Sequence, residues 1–160
     1  MEFPSRGFTT IELITVIILI GILSAVAIPR LDSSAFRERG FRDGVFTAVS
    51  HARRVAVASR RYVCVTVTSS MVSVTRDAGT SPETAASINC TIDVALPAPT
   101  AGCPSNAVCA PNGVSAGGSS SIIFDPLGRS ISAPNTAANA SITITNQNTI
   151  TVVGETGYVQ

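Results

Sequence analysis

The sequence predicts an α+β protein in which a long N-terminal helix, interrupted once, packs on an antiparallel β-sheet. Three patterns predict this fold: an apolar run over residues 8–28, a helical repeat of apolar positions over 32–60, and strand-like alternation after residue 61. At 160 residues the chain is long enough for one hydrophobic core and too short for two ordinary domains with a linker.

The charged residues are few and unevenly distributed. Asp, Glu, Lys and Arg make up 13% of the chain, about half of the roughly 25% that is usual in soluble domains. The formal net charge of +1 is the balance of three segments, −1 over residues 1–29, +5 over 30–61 and −3 over 62–160. A total near zero gives no general reason to expect a nucleic-acid-binding protein, whereas the basic segment requires its own explanation.

The apolar run from Phe8 to Ile28 has the length of a membrane span. As a helix its 21 residues rise about 31 Å, which matches the ~30 Å hydrocarbon core of a bilayer. Its one ionisable residue is Glu12, and a carboxylate at the centre of a span costs on the order of 2–3 kcal/mol, so a partner is expected. Two simpler interpretations are a secretory signal cleaved after Ala27, in a small-x-small site, and a plain single-pass anchor.

The residues at the start of this run carry a family resemblance. The octapeptide Arg6-Gly7-Phe8-Thr9-Thr10-Ile11-Glu12-Leu13, with Pro29 at the end of the run, resembles the N-terminus of type IV prepilins and pseudopilins. The resemblance implies that residues 1–7 are a leader peptide and that prepilin peptidase cuts after Gly7. It also implies that Phe8 becomes the N-methylated first residue of the mature chain.

Glu12 has a physical role in such an assembly. After cleavage, the free amino group of Phe8 would lie one helical turn, about 6 Å, from Glu12. In a bundle of such helices, the carboxylate of one chain would meet the charged amine of a neighbour, and two charges that are costly in apolar surroundings would be neutralised. The hypothesis is that Glu12 sets the register of assembly. The alternative is that Glu12 serves only the peptidase or the insertion machinery.

Pro29 predicts a break in the helix, because proline cannot donate a backbone hydrogen bond and disfavours helical geometry at the residue before it. Asp32, Ser33 and Ser34 are residues of the type that cap a new helix. This second helix is predicted to end near Arg60 and to bury one apolar stripe. The stripe consists of Phe36, Gly40, Val45, Val49, Ala52 and Ala56.

The second helix contains most of the basic segment. Two i,i+4 ion pairs are expected on its polar side, Glu38 with Arg42 and Arg39 with Asp43. The favoured interpretation of the arginines is a solvated face that forms salt bridges to the acidic remainder of the chain or to neighbouring subunits. The alternative is contact with anionic lipid or with DNA phosphate.

After residue 61 the period of two predicts β-strands. Valines at 63, 65, 67, 72 and 74 alternate with small polar residues and predict a hairpin. Further strands are predicted at 88–94, 121–124, 142–145 and 149–153. Turns are predicted at Asp125–Gly128 and Asn146–Asn148. The segment 97–120 is rich in Pro, Gly, Ser and Ala and is predicted to be a long surface loop in the β-rich part, residues 62–160.

Segments after residue 30 resemble one particular group of type IV pilin-like proteins. Three segments are similar to minor pilins and pseudopilins of the GspH/FimT group: Phe36–Val65, Ser121–Arg129 and Glu155–Val159. Within that group, Pro29-Arg30, Phe36 and Gly40-Phe41 resemble the minor pilins of mannose-sensitive haemagglutinin (MSHA) pili. The similarity covers most of the chain and is weakest over residues 77–120.

Four cysteines allow three disulfide pairings. Cys103 and Cys109 lie six residues apart in the predicted loop and would close a small ring, which leaves Cys64 and Cys90 to join the first hairpin to the next strand. This pairing is preferred, and the other two remain open at this point. Export would place the thiols in an oxidising compartment, where disulfides persist. A zinc site is a poor alternative, because the chain contains no C-x-x-C pair.

No catalytic constellation, metal site or cofactor is predicted. The single histidine, His51, has no recognisable Ser or Cys partner near it in the sequence. The expected function is structural: a minor pilin of a type IV, MSHA-like pilus that helps to initiate or cap filament assembly. The expected partners are prepilin peptidase, other major and minor pilin subunits, and inner-membrane lipid.

The same resemblance implies a location. Residues 8–29 would form the single transmembrane and filament-core helix, and residues 30–160 a periplasmic domain that reaches the pilus on the cell surface after assembly. One alternative is a pseudopilin of a type II secretion system. A second is a DNA-binding minor pilin for DNA uptake. Nucleic acid is not an expected partner, because the tail at 154–160 has one Glu and no Arg, whereas DNA receptors of this group have a basic motif there.

Overall fold

The computed structural model describes residues 8–27, 33–79, 88–134 and 136–160. The first of its two compact units contains helix α1, Thr10–Ala27, and the second is Ser34–Gln160. Helix α2 runs from Ser33 to Ser59, close to the predicted limits. The predicted leader, Pro29 and the capping residue Asp32 lie outside the described residues.

Helix α2 buries one face in the core. That face consists of Phe41, Val45, Ala48, Val49, Ala52 and Ala56. The predicted stripe is right from Val45 onwards and wrong before it, since Phe36 is 65% exposed and Gly40 is also exposed. The reason is helical phase: Phe36 lies about two and a half turns before Val45, on the opposite side of the helix.

Glu38 occupies the buried phase instead. It is 8% exposed and accepts hydrogen bonds from Nδ2 of Asn146 (3.1 Å) and Nε2 of Gln147 (3.5 Å). Arg42 does not pair with it, because Nε of Arg42 donates to the carbonyl oxygen of Asn148 (3.1 Å). Neither predicted i,i+4 ion pair is present among the described side chains. These contacts attach the first half of α2 to the predicted turn at Asn146–Asn148.

Helix α2 ends in a Schellman motif. Arg60 has a left-handed backbone, with φ of 52°, and its N–H donates to the carbonyl of Val57 (3.4 Å). The N–H of Arg61 donates to the carbonyl of Ala56 (3.2 Å), which completes the motif. Glycine is usual at the left-handed position, so the sequence contained no signal for this cap. The cap turns the chain from the helix into the first strand.

In the described residues after α2 there are ten β-strands, and their pairings are all antiparallel. They are β1 Val63–Val67, β2 Met71–Asp77, β3 Cys90–Asp93, β4 Ala107–Cys109, β5 Ala116–Gly118, β6 Ser121–Phe124, β7 Ser130–Ala133, β8 Thr136–Ala137, β9 Ala140–Ile144 and β10 Ile150–Val152. One sheet has the order β3-β2-β1-β6-β7-β8, with β4 also paired to β2, and the other has the order β10-β9-β5.

The predicted loop at 97–120 contains two of these strands. β4 pairs with β2 at Val108 and Val72, and β5 pairs with β9 at Gly117 and Thr143. β7 and β8 were not predicted either, whereas the β1–β2 hairpin and the strands near β3, β6, β9 and β10 were. The missed strands consist largely of Ala, Gly, Ser and Thr, so they show no alternation of large apolar and polar side chains, whereas β6 and β10 are as short but contain isoleucine.

The core lies between α2 and the inward faces of both sheets. Its largest fully buried side chains on the strands include Phe124, Ile122, Ile142 and Ile150. The valines of β1 and β2 that face inward are also buried, and the intervening Ser and Thr side chains are more exposed. The predicted α+β class, with a helix packed on antiparallel sheet, is confirmed.

Candidate processing and assembly site

The predicted processing site lies at the start of α1. Phe8, the predicted N-terminus of the mature chain, is 85% exposed and precedes the helix by two residues. Gly7, after which cleavage is predicted, lies outside the described residues. On its described side, the bond predicted to be cut is therefore followed by an exposed residue ahead of a regular helix.

Thr9 caps α1 and positions Glu12. The side-chain Oγ1 of Thr9 accepts the backbone N–H of Glu12 (3.3 Å), and its carbonyl accepts the N–H of Leu13 (3.1 Å). Thr9-x-x-Glu12 has the sequence of a capping box, and a carboxylate in the first turn also lies at the positive end of the helix dipole. Glu12 therefore helps to start the helix. Sequence reasoning missed this local role, although the Thr-x-x-Glu spacing was visible.

Helix α1 exposes apolar side chains on every face. Its large apolar residues are between 44% and 68% exposed. They are Ile11, Leu13, Ile14, Val16, Ile17, Ile18, Leu19, Ile20, Ile22 and Leu23. The hydroxyls of Thr15 and Ser24 donate to helix carbonyls, at 2.9 and 2.7 Å, and so do not form a polar face. A helix that is apolar all round requires apolar surroundings.

The predicted membrane span and the predicted helix break both extend beyond the described residues. Within the described residues, none of the helices combines the length and the apolar character needed to cross a bilayer. The predicted span ends at Ile28, and the predicted break is at Pro29, both of which lie outside the described part of the chain.

Within the described part of the chain, the arginines of α2 form no ion pair with the acidic remainder. The described residues form two salt bridges, Arg42–Asp43 (3.6 Å) and Arg129–Asp125 (2.8 Å). Nε of Arg53 donates instead to the carbonyl oxygen of Gly128 (3.1 Å). Among the described residues, the expected salt bridges between α2 and the sheet domain are therefore not formed. Two carboxylates of the sheet domain, Asp77 and Asp125, are buried and accept hydrogen bonds from backbone N–H groups of Asn89 and of the turn after β6 instead.

Asp125 organises the predicted turn between β6 and β7. It is 4% exposed, and its Oδ1 accepts the backbone N–H groups of Leu127 (3.0 Å) and Arg129 (2.8 Å). Its Oδ2 accepts Nε of Arg129 at 2.8 Å. This is an Asx-type turn closed by a charge-assisted hydrogen bond.

We expect Asp125→Ala to lower the free energy of unfolding by about 2 kcal/mol, because it leaves two backbone N–H groups without their acceptor. Asp125→Asn keeps an oxygen at Oδ1 and should lose about half as much. Urea unfolding of the full-length chain, followed by circular dichroism, measures both. Equal losses in the two variants would show that the charge matters and the turn hydrogen bonds do not.

Two of the segments that carry the family resemblance meet at the end of α2. Gly128 and Gly157 both have left-handed backbones, with φ of 82° and 60°. A Cβ at Gly157 would collide with the carbonyl oxygen of Gly128 and would lie 3.0 Å from Nε of Arg53. A Cβ at Gly128 would lie 2.9 Å from Cγ2 of Val57. We call this contact of Arg53, Gly128 and Gly157 the glycine junction.

The four cysteines form two disulfides. Cys64 of β1 is bonded to Cys90 of β3, with Cα atoms 6.1 Å apart, and Cys103 is bonded to Cys109 of β4, with Cα atoms 6.0 Å apart. This arrangement is the one preferred from the sequence. The first bond connects two strands that both flank β2, and the second closes a ring within the segment predicted as a loop.

Comparison with known proteins identifies similar structures only. The chain matches no protein-family model and no curated protein. It is similar to the type IV minor pilin FimU of Pseudomonas aeruginosa in two crystal forms. With one form the identity is 13% over 76% of this chain and 90% of FimU, with a TM-score of 0.48. With the other, the identity is 13% over 80% of this chain and 90% of FimU, with a TM-score of 0.44.

Proposed function

We propose that this chain is a minor pilin, a structural subunit that assembles through α1 with other pilin subunits. The observation that supports this function best is α1 itself, an apolar helix with no polar face, which begins within the prepilin-like motif. Prepilin peptidase would cut after Gly7, and the new N-terminus at Phe8 would be methylated. The proposal assigns no catalytic role to the chain.

The mechanism of assembly is burial of α1 among the equivalent helices of neighbouring subunits. Keeping a large aliphatic side chain out of water is worth about 1.5–3 kcal/mol, so the ten exposed side chains of α1 would leave the lipid only for an equally apolar bundle of neighbouring helices. Glu12 would oppose unregistered packing, because its carboxylate is costly in an apolar bundle unless a neighbour's Phe8 amine meets it. Thr9 holds the backbone of Glu12 at the helix start, where that amine would lie.

The proposal includes a location and a pilus type. The segment 8–28 would hold the precursor in the inner membrane, with residues 30–160 in the periplasm, and assembly would bring the subunit to the pilus. On sequence resemblance the pilus would be of the MSHA type and the subunit akin to the MSHA minor pilin MshC, which would initiate or cap the filament. Identification of the subunits that crosslink to the chain in its own host would distinguish this role from that of a type II secretion pseudopilin.

The N-terminus of the mature chain tests the proposal directly. We expect mass spectrometry of the protein isolated from its host to find a chain that begins at Phe8 and carries one N-methyl group. Gly7→Val should leave the precursor uncut. A mature chain that begins at Ile28 would instead show cleavage by signal peptidase and release of a soluble domain, and the proposed function would be abandoned.

Glu12→Gln separates the assembly role of Glu12 from its role at the helix start. The variant keeps the backbone N–H that Thr9 caps and removes the charge, so we expect normal cleavage and an unchanged helix content. We expect its amount in sheared filaments to fall at least tenfold, because the charge pair with a neighbour is lost. Quantitative immunoblotting of filament and membrane fractions measures this fall.

The matched control is Glu155→Gln, which removes an exposed carboxylate far along the chain. It should be incorporated like the unmodified chain. If Glu12→Gln were incorporated at the same level as this control, Glu12 would have no role in register, and only its capping and processing roles would remain.

A further inference from the structure

The chain contains two dipeptides of the type that closes a succinimide ring, Asp43-Gly44 and Asn112-Gly113. In this reaction the backbone nitrogen of the glycine attacks the side-chain carbonyl carbon of the residue before it. Glycine favours the attack, because it has no Cβ to obstruct the ring and its backbone adopts many conformations. Since the two dipeptides have the same chemistry available, their surroundings in the fold decide where it takes place.

Asp43-Gly44 is protected by helix α2. The helix runs from Ser33 to Ser59, so the N–H of Gly44 is engaged with a carbonyl one turn earlier. The backbone at Asp43 therefore cannot rotate towards the ring geometry unless the helix breaks. Gly44 is also packed against β4, because a Cβ there would lie 3.1 Å from Cγ1 of Val108. Ring closure at this position is opposed by both the helix and the core beneath it.

Asn112-Gly113 forms the exposed tip of a turn between β4 and β5. The N–H of Val114 donates to the carbonyl of Pro111 (3.0 Å). Gly113 has φ of 84° and Asn112 has no positive φ, which is the combination of a type II turn. Both central residues are exposed, and a Cβ at Gly113 would meet nothing within 4 Å. One neutral hydrogen bond closes this turn, so the backbone at Asn112 rotates at a small cost.

The reacting groups of this turn are not engaged elsewhere. Among the residues that the structure describes, neither the side-chain amide of Asn112 nor the N–H of Gly113 has a hydrogen-bond partner. The side chains of Asn106 and Asn139, by contrast, form hydrogen bonds to other segments. The described asparagines other than Asn112 also precede a residue with a Cβ; they are Asn89, Asn106, Asn139, Asn146 and Asn148.

We propose that Asn112 is a site of spontaneous deamidation in the folded chain. The nitrogen of Gly113 loses its proton and bonds to Cγ of Asn112, and the side-chain nitrogen of Asn112 leaves as ammonia. Water then opens the succinimide at one of its two carbonyls, which yields aspartate or isoaspartate. The reaction uses water alone as co-reactant. It goes beyond the proposed function and does not depend on it.

The products change the charge and the geometry of the connection between the two sheets. A carboxylate replaces a neutral amide beside a cavity of ≈ 520 Å³, whose described lining includes Ala110 and Pro111 and no charged side chain. Isoaspartate also adds one atom to the backbone, which disturbs the hydrogen bond from Val114 to Pro111. Val114 packs against the core, so the change reaches from the turn into the connection between β4 and β5.

Incubation of the purified full-length chain in detergent, followed by peptide mapping with mass spectrometry, tests the site. We expect Asn112 to convert at least tenfold faster than any other described asparagine, with isoaspartate exceeding aspartate. The rate should rise with pH, because the nitrogen of Gly113 must lose its proton. Asp43 should not isomerise in the folded chain. In concentrated urea, where α2 is unfolded, Asp43 should isomerise as well.

Two substitutions separate the site from its surroundings. Asn112→Gln keeps a neutral amide at the tip but would have to close a larger ring, so the conversion at residue 112 should fall at least tenfold with an unchanged circular dichroism spectrum. Asn148→Gln, at another exposed position, is the matched control and should leave the conversion of Asn112 unchanged. Conversion of Asn112 no faster than that of Asn148, or equally fast isomerisation of Asp43 in the folded chain, would overturn the proposal. Neither result would affect cleavage at Gly7 or filament incorporation, so the two proposals fail separately.

Discussion

Gly157→Ala is expected to lower the free energy of unfolding by about 3 kcal/mol. Part of the loss, about 1–2 kcal/mol, comes from a left-handed backbone, which a residue with a Cβ adopts at a cost. The rest comes from crowding at the glycine junction, where the new Cβ would collide with the carbonyl oxygen of Gly128. That oxygen also accepts the hydrogen bond from Arg53, so it cannot move freely. Urea unfolding of the full-length chain measures the loss.

Gly102 is the matched control for this substitution. It has a similar backbone, with φ of 78°, but a Cβ there would meet nothing within 4 Å. Gly102→Ala should therefore show the backbone cost alone. Asparagine tolerates left-handed geometry, so Gly102→Asn should be close to neutral while Gly157→Asn remains strongly destabilising. Equal losses at the two positions would show that the close approach at the junction does not contribute to stability.

The contacts of the glycine junction could not be predicted from the sequence. The turn at Asp125–Gly128 and the closing segment were each recognised, because turn residues and family resemblance are local signals. Their contact with each other and with Arg53 is not local, since Arg53 and Gly128 are 75 positions apart. Arg53 was expected to pair with a carboxylate. It donates instead to the backbone carbonyl of Gly128, which is accessible because Gly128 and Gly157 have no Cβ.

Most of the fold followed from periodicity. The extent of α2, the β1–β2 hairpin and the predicted strands with large apolar residues show a 3.6- or 2-residue repeat in the sequence. Glu38 shows the limit of that method, because its position seven residues before Val45 is in the buried phase, yet a charged residue was assigned to the surface. The burial of Glu38 depends on hydrogen bonds from the side-chain amides of Asn146 and Gln147, which lie more than 100 positions later in the sequence.

The features of α1 were predicted in part. Its apolar character and the position of Glu12 follow from composition and the motif. The cap by Thr9 needed only the Thr-x-x-Glu spacing, which was present and was not used. Whether Glu12 acts in assembly stays a prediction.

Removing the disulfide between Cys64 and Cys90 is expected to be more destabilising than removing the other. In the chain-entropy account, a bond that closes 26 residues contributes about 3.5 kcal/mol and one that closes six contributes about 2.2 kcal/mol. Cys64→Ser with Cys90→Ser should therefore lower the free energy of unfolding by about 1.3 kcal/mol more than Cys103→Ser with Cys109→Ser. Urea unfolding of the two double variants, with the near-ultraviolet signal of the buried Tyr62 as the probe, measures the difference.

Peptide mapping without reduction must first show the Cys64–Cys90 linkage, and a fragment that joins Cys64 to Cys103 would contradict the pairing on which the comparison depends. With the pairing established, the difference between the double variants tests its cause. The entropic account acts on the unfolded chain, so the larger loop must give the larger loss. If removal of the Cys103–Cys109 ring were equally costly, the native contacts of that ring would be responsible. The segment that leads into β4 would then be the part of the structure that the bond stabilises.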